Sequence, residues 1–212
     1  MVTACRAATG FCTPWDGGVA GCALTFDDGP DLAWTPGVLD CLRRGGARAT
    51  FFVLADRALR HGALVERMRA EGHEIAFHCV RHVRHCEMDE LELWRDTTEG
   101  LRALKELRVD PRRWRPPWGI VTAATRRVAD AFGLEIVGWD VDSEDWRGDT
   151  AVEMHGRMMG GMRSGAVVLM HDGLGPGARR SGCGQTVALI PRLLETLHER
   201  GLQAVALAEL AE

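Results

Sequence analysis

From Val19 onward the chain alternates short apolar runs with longer amphipathic stretches, and that alternation admits very few folds. Brief apolar runs without a polar face are the mark of strands buried on both sides. They predict strands over 22–26, 49–54, 74–77, 112–115, 135–138, 166–170 and 203–206. Between them, apolar residues recur at helical spacing over 57–70, 89–107, 123–132, 151–162 and 187–200. Asp89 and Thr122 stand where N-caps belong, and Gly72, Gly133 and Gly201 where helices stop. Strands alternating with helices build parallel βα units. About seven strands in this length predict an α/β fold of the TIM-barrel type, as a distorted, incomplete (β/α) barrel. With no internal repeat and no linker, the organisation expected is an extension over 1–19 and one domain over 20–212.

Charge and hydropathy narrow the partners. A formal net charge of −4 and only short basic clusters, Arg112-Arg113-Trp114-Arg115 and Arg179-Arg180, give no track for nucleic acid. Those clusters read as local surface or a site rim. No stretch approaches the ~18 uninterrupted apolar residues of a membrane span. Residues 1–21 lack the charged head and apolar run of a signal peptide, so a cytoplasmic protein is expected. The seven cysteines form no CxxC pair and suggest reduced thiols, with Cys5–Cys12 and Cys79–Cys86 the spacings that could bridge in an exported protein.

Five short motifs carry the chemistry, and they fall where the predicted strands end, which is where a parallel barrel keeps its active site. Thr25-Phe26-Asp27-Asp28-Gly29-Pro30 puts two carboxylates on a strand-to-turn junction, one free to bind a metal and the other to act as a base. His78 and His82 lie one helical turn apart, and with Asp28 they offer three ligands and an open position. That set suits one divalent ion, zinc first, and also nickel, cobalt, manganese or iron. His85, Cys79 and Cys86 are rival ligands nearby, while His73 reads as a structural residue. Arg115, ahead of the rigid Pro116-Pro117, can hold Asp27, and the Trp118 main chain can face an oxyanion. Asp142 and Asp145 add carboxylates and Trp146 an aromatic wall. His171, after Val167–Met170, is positioned as a general acid that an acidic neighbour would keep protonated. Asp172-Gly173 reads as a turn.

Together these motifs resemble the polysaccharide deacetylase family, also known as the NodB-homology domain or carbohydrate esterase family 4. The resemblance spans about Ala20 to Leu210. It implies a distorted (β/α) barrel, one divalent metal, often zinc, and removal of N- or O-acetyl groups, mostly from N-acetylglucosamine-containing glycans. By position, Asp27 resembles the catalytic base, and Asp28, His78 and His82 the metal ligands. Arg115 resembles the residue that positions the base, Asp145 the acid that tunes the catalytic histidine, and His171 that histidine. Trp118 corresponds to the oxyanion-hole donor, and Pro117, Trp146 and Leu169 to substrate-pocket positions. Cys79 in place of Ser or Thr, Trp118 in place of Tyr, and the histidine-rich 82–86 depart from the family pattern. The expected substrate is a small acetylated sugar, glycolipid or glycan. The alternatives are the same machinery on another non-peptide C–N bond (a deformylase or a cyclic imide or ureide hydrolase), a silent glycan-binding protein, and a metal-storage or sensing role for 78–86.

Overall fold

The computed structural model describes residues 20–210. The extension expected over 1–19 and the Cys5–Cys12 pairing lie outside the described residues. In chain order the elements are β1 (Gly21–Asp27), α1 (Thr35–Arg44), β2 (Thr50–Leu54), α2 (Ala55–Arg60), α3 (Gly62–Ala70), β3 (Glu74–Cys79), α4 (Glu90–Glu106) and β4 (Arg113–Trp114). There follow α5 (Ala123–Phe132), β5 (Glu135–Ile136), β6 (Val141–Asp142), α6 (Ala151–Met158), β7 (Val167–His171), α7 (Gly184–Glu199), β8 (Gln203–Val205) and α8 (Leu207–Leu210).

Every described strand pairing is parallel, in the order β5-β4-β3-β2-β1-β7-β6, with β8 on the first residues of β1. β5 and β6 do not pair, so the sheet curls but stays open there. The helices follow the strands around the outside, α5 against α4, α4 against α2, and α7 against both α1 and α6. This is the incomplete barrel that the alternating pattern predicts.

All seven residues of β1 and all five of β2 are buried, as strands covered on both faces must be. Alternation sorts them. Leu24, Phe26, Phe51 and Val53 join the large core under the helices, where Phe26 and Phe51 stack at 5.2 Å. Ala23, Phe52 and Ala76 form a small inner cluster with Leu207 of α8. Thr25 and Asp27 share the parity of Ala23, so the inner face turns polar towards the strand ends.

The caps behave as expected. Asp89 and Glu92 form a capping box on α4, Thr122 caps α5, and Gly133 ends α5 at φ 65°. Five features differ. The helix expected over 57–70 is two helices, broken at His61 (φ −121°, ψ 41°). The helix expected over 151–162 ends at Met158 in a 3-10 turn, and that over 187–200 begins earlier, at Gly184. The helix at Thr35–Arg44, which follows Trp34 with a proline in its first turn, and the two-residue β6 were not anticipated. Two paired residues are too few to carry a hydrophobic period.

Candidate metal centre and active site

Register brings the motifs together. Asp27, the last residue of β1, pairs directly with His171, the last of β7. Arg115 N donates to Phe77 O, which sets Arg115 beside His78 on the next strand. Five motifs spread between Thr25 and His171 thereby reach one cleft of about 380 Å3, lined by Asp27, Asp28, His78, His82, Trp118, Asp142, Trp146, Leu169 and His171 among others.

The two aspartates part company at Asp28, whose φ of 73° breaks the strand. Asp27 turns to Arg115, with Oδ1 at 2.8 Å from a guanidinium nitrogen. That guanidinium is 0% exposed, also donates to Thr25 Oγ1 (2.7 Å) and Gly138 O (2.8 Å), and lies 4.1 Å from the Phe52 ring centroid. Burial lowers the Arg115 pKa and the Asp27 charge opposes that shift.

Asp28 turns to the histidines. Its Oδ1 lies 3.5 Å from His78 Nε2 and 3.2 Å from His82 Nε2. Burial would raise the Asp28 carboxyl, but the two imidazoles overcome it and hold it well below the usual range. His78 Nδ1 is 2.5 Å from Arg115 O, which places a proton on Nδ1 and turns Nε2 to Asp28, where it would serve as an electron-pair donor to a bound ion. One ligand atom from each of Asp28, His78 and His82 falls within 4.8 Å of the others. Asp28 Oδ1 is buried without a hydrogen-bond donor, which is costly unless a cation takes the place. The donor set and the orphaned oxygen therefore fit one divalent ion. Gly175 closes the site from above, since a β-carbon there would stand 2.2 Å from Asp28 Oδ2. Arg57 ties the Asp28 and Leu174 carbonyls together at 2.9 and 3.0 Å.

The histidines do not share a helical turn. His78 is in β3 and His82 in the loop after it, and the strand end and turn together aim both Nε2 atoms at Asp28. The rivals stand apart. His85 is buried against Thr125 Oγ1 (3.0 Å) and the Trp114 ring, and burial pushes it down to about 4. Cys79 is buried as a free thiol whose pKa burial raises well above the ordinary value. Cys86 is free and exposed, so no Cys79–Cys86 bridge forms. His73 accepts from Ala49 N at 3.2 Å, a structural bond.

Across the cleft, Asp145 is 1% exposed and fully occupied. Its Oδ1 meets His171 Nδ1 at 2.7 Å, while Oδ2 meets His171 N (2.9 Å), Thr186 Oγ1 (2.6 Å) and Arg180 (2.8 Å). Burial opposes ionisation of both partners, but their mutual attraction wins. Asp145 falls to about 2 and His171 rises to about 9, so near neutral pH the imidazole carries its proton with Nε2 unencumbered. Asp142 accepts from Glu144 N at 2.7 Å, and burial raises its pKa.

Trp118 adopts φ 54° in the turn Pro117–Gly119, behind the buried Pro117. Gly119 N and Ile120 N donate to Pro116 O and Pro117 O, while no described carbonyl takes the Trp118 N–H. Its ring lies edge-on to His82 at 4.3 Å, beneath Arg84 at 4.4 Å. Trp146 and Leu169 line the cleft.

Three residues were hidden in the sequence. Arg180 had a faint signal as half of a basic pair at a site rim. Thr186, inside α7, had none. Asp172 does lie in a bend, but it is fully buried, accepts from Thr35 Oγ1 at 2.6 Å, and burial raises it to about 7.

Comparison with known proteins shows the family. Residues 18–137 match the polysaccharide deacetylase family. The chain is 35% identical over 190 residues to a peptidoglycan-N-acetylglucosamine deacetylase of Bacillus cereus, covering 89% of this chain and 86% of that protein. It is 35% identical over 194 residues to a chitooligosaccharide deacetylase of Bradyrhizobium, covering 88% and 89%. Its fold superposes on a family 4 carbohydrate esterase from Streptomyces lividans in complex with acetate, with TM-score 0.79 and 31% identity over 89% of this chain and 93% of that one. The chain belongs to the polysaccharide deacetylase family.

Proposed function

We propose that this protein is a metal-dependent hydrolase that removes acetyl groups from an N-acetylglucosamine-type carbohydrate. The observation that carries this reading is one cleft holding an orphaned metal-type carboxylate, an arginine-held carboxylate and a protonated histidine side by side. Asp28, His78 and His82 would hold one ion, with zinc the best match for two imidazoles and a carboxylate and cobalt, nickel, manganese or iron chemically competent. The bound ion supplies Lewis-acid polarisation of the acetamide carbonyl and of the attacking water.

This chain's own residues supply the rest. Asp27, aimed by Arg115, takes the proton of the water as it attacks. The Trp118 N–H donates to the oxyanion that develops on the carbonyl oxygen, a contribution worth about 10²–10³ in rate where such donors have been removed. His171, fixed through Nδ1 by Asp145, delivers the proton from Nε2 to the departing amine. The C–N bond breaks with that transfer, leaving free amine and acetate. Pro117 stiffens the oxyanion loop, and Leu169 and Trp146 wall the acetyl group.

The test is acetate release from N-acetylated sugars, chitooligosaccharides and peptidoglycan fragments, since relatives carry both polymer names. Chelator-stripped protein is compared with protein restored with each metal. Stripping should abolish release and restoration return it. Asp27→Asn should lose about 10²–10⁴ in turnover with the fold intact. Asp27→Asn running near the wild-type rate would overturn its role, and absence of acetate from every substrate would overturn the reading itself.

A further inference from the structure

Beside β5, at the open edge of the sheet, lies a second cavity of about 420 Å3, within the size range of small-molecule sites. Its lining is mainly aliphatic and aromatic: Val121, Ala129, Leu134, Ile136, Val137 and Trp139. The charged residues that border it, Arg126, Asp130 and Glu135, are all exposed. The active cleft also has apolar walls, Trp118, Trp139, Trp146 and Leu169, but adds the carboxylates and imidazoles of the motifs.

The two spaces meet. Gly119 and Trp139 line both, so one indole and one glycine of the oxyanion loop form the partition. Gly119 lets them close on each other, because a β-carbon there would sit 2.6 Å from the Trp139 ring, at a backbone φ of 65°. The partition is also tied to the catalytic core. Arg115, which holds Asp27, bonds Gly138 O at 2.8 Å, and its guanidinium carbon lies 5.7 Å from the Trp139 ring centroid.

We infer that this seam cavity is a second subsite, which takes an apolar aglycone (an alkyl, acyl or aryl group) carried by the acetamido sugar whose acetyl group enters the metal cleft. The inference rests on the deacetylase reading. A further sugar ring would find polar side chains only at the exposed border, in Arg126, Asp130 and Glu135, and hydroxyls turned to the aliphatic walls would be costly to bury unpaired. An apolar group gains from the same walls, roughly three- to fourfold in affinity for each methylene removed from water.

The experiment uses methyl, butyl and hexyl β-glycosides of N-acetylglucosamine with the metal-loaded protein. Acetate release gives KM, and calorimetric titration into the Asp27→Asn protein gives Kd without turnover. Both constants should fall from methyl to hexyl by at least about tenfold, with kcat little changed. Val121→Asp, at a half-buried loop position, should flatten the series while leaving the methyl glycoside unaffected. If that variant fails to fold, the wild-type series still decides. Acetate released from all three glycosides with equal KM and Kd overturns the subsite and leaves the deacetylase reading standing. Tighter binding along the series without acetate from any glycoside keeps the subsite and overturns the deacetylase reading. Neither acetate nor tighter binding overturns both.

Discussion

The cleft contains two aspartate–histidine pairings built to opposite plans. Asp28 faces two Nε2 atoms with its Oδ1 short of a donor, whereas Asp145 has four donors across its two oxygens. The first arrangement is incomplete by the chemistry of its own atoms, as a site that a cation would complete. The second is already closed and serves to fix one imidazole and its charge. Both carboxylates are buried and strongly acidic. Neither burial nor acidity therefore tells a ligand from a counter-charge; the unfilled oxygen does.

Replacing each aspartate by alanine should separate the two plans most sharply. Asp28→Ala should take bound metal from one per chain to none and acetate release to background, while near-UV dichroism stays that of the wild type. Asp145→Ala should retain metal but strand a buried guanidinium and an imidazolium, a kind of loss that costs about 3–5 kcal/mol. The urea midpoint should report it. A folded, metal-loaded Asp28→Ala protein, or an Asp145→Ala protein as stable as wild type, would break the comparison.

Asp145→Asn keeps the shape and removes the charge, so its effect reads in pH. His171 is raised from 6.5 to about 9, and its acid form is needed, so kcat/KM should fall on the alkaline side near pH 9. Without the Asp145 charge that limb should move to lower pH. Stability follows the same sign. The raised His171 contributes fully below about pH 6.5 and loses its contribution as pH rises through 9. The lowered Asp145 contributes above about pH 3.8 and loses its contribution as pH falls through 2. The two titrate as a pair. The wild-type advantage over Asp145→Asn in urea should accordingly be widest between about pH 4 and 6.5. An alkaline limb unmoved by the substitution would separate Asp145 from His171.

The sequence was legible where a single strand end announced itself. Asp27, Asp28, Arg115 and His171 each follow or end a strand whose apolar run is visible in one dimension, and parallel register then brings them together. Thr122 and Gly133 declared α5 through local backbone chemistry. Residues whose role exists only across the fold were not legible. Thr186 and Arg180 meet Asp145 from 41 and 35 positions away, and nothing in their neighbours marks them. Asp172 reads as a turn because Asp-Gly is turn chemistry, yet it is buried and its hydroxyl partner, Thr35, lies 137 positions off. The pairing of His78 with His82 was visible, but its backbone was not, since four-residue spacing serves a strand end and turn as well as a helix.

Trp118 offers the smallest and finest test, because its proposed contribution is a main-chain N–H and its side chain is 37% exposed. Trp118→Gly keeps that N–H. It also relieves a φ of 54°, a left-handed conformation that costs a non-glycine residue about 1–2 kcal/mol. Against that gain stands the greater freedom of glycine in the unfolded chain, about 0.4–1 kcal/mol, and the lost ring contacts with His82 and Arg84. These terms oppose one another, so the urea midpoint should move by no more than about 1 kcal/mol equivalent. Turnover should fall less than about tenfold, with the larger change in KM, because what disappears is a wall of the cleft and not the oxyanion donor. A loss approaching the 10²–10³ typical of a deleted oxyanion donor would mean that the indole, and not the backbone, does the chemistry at this position.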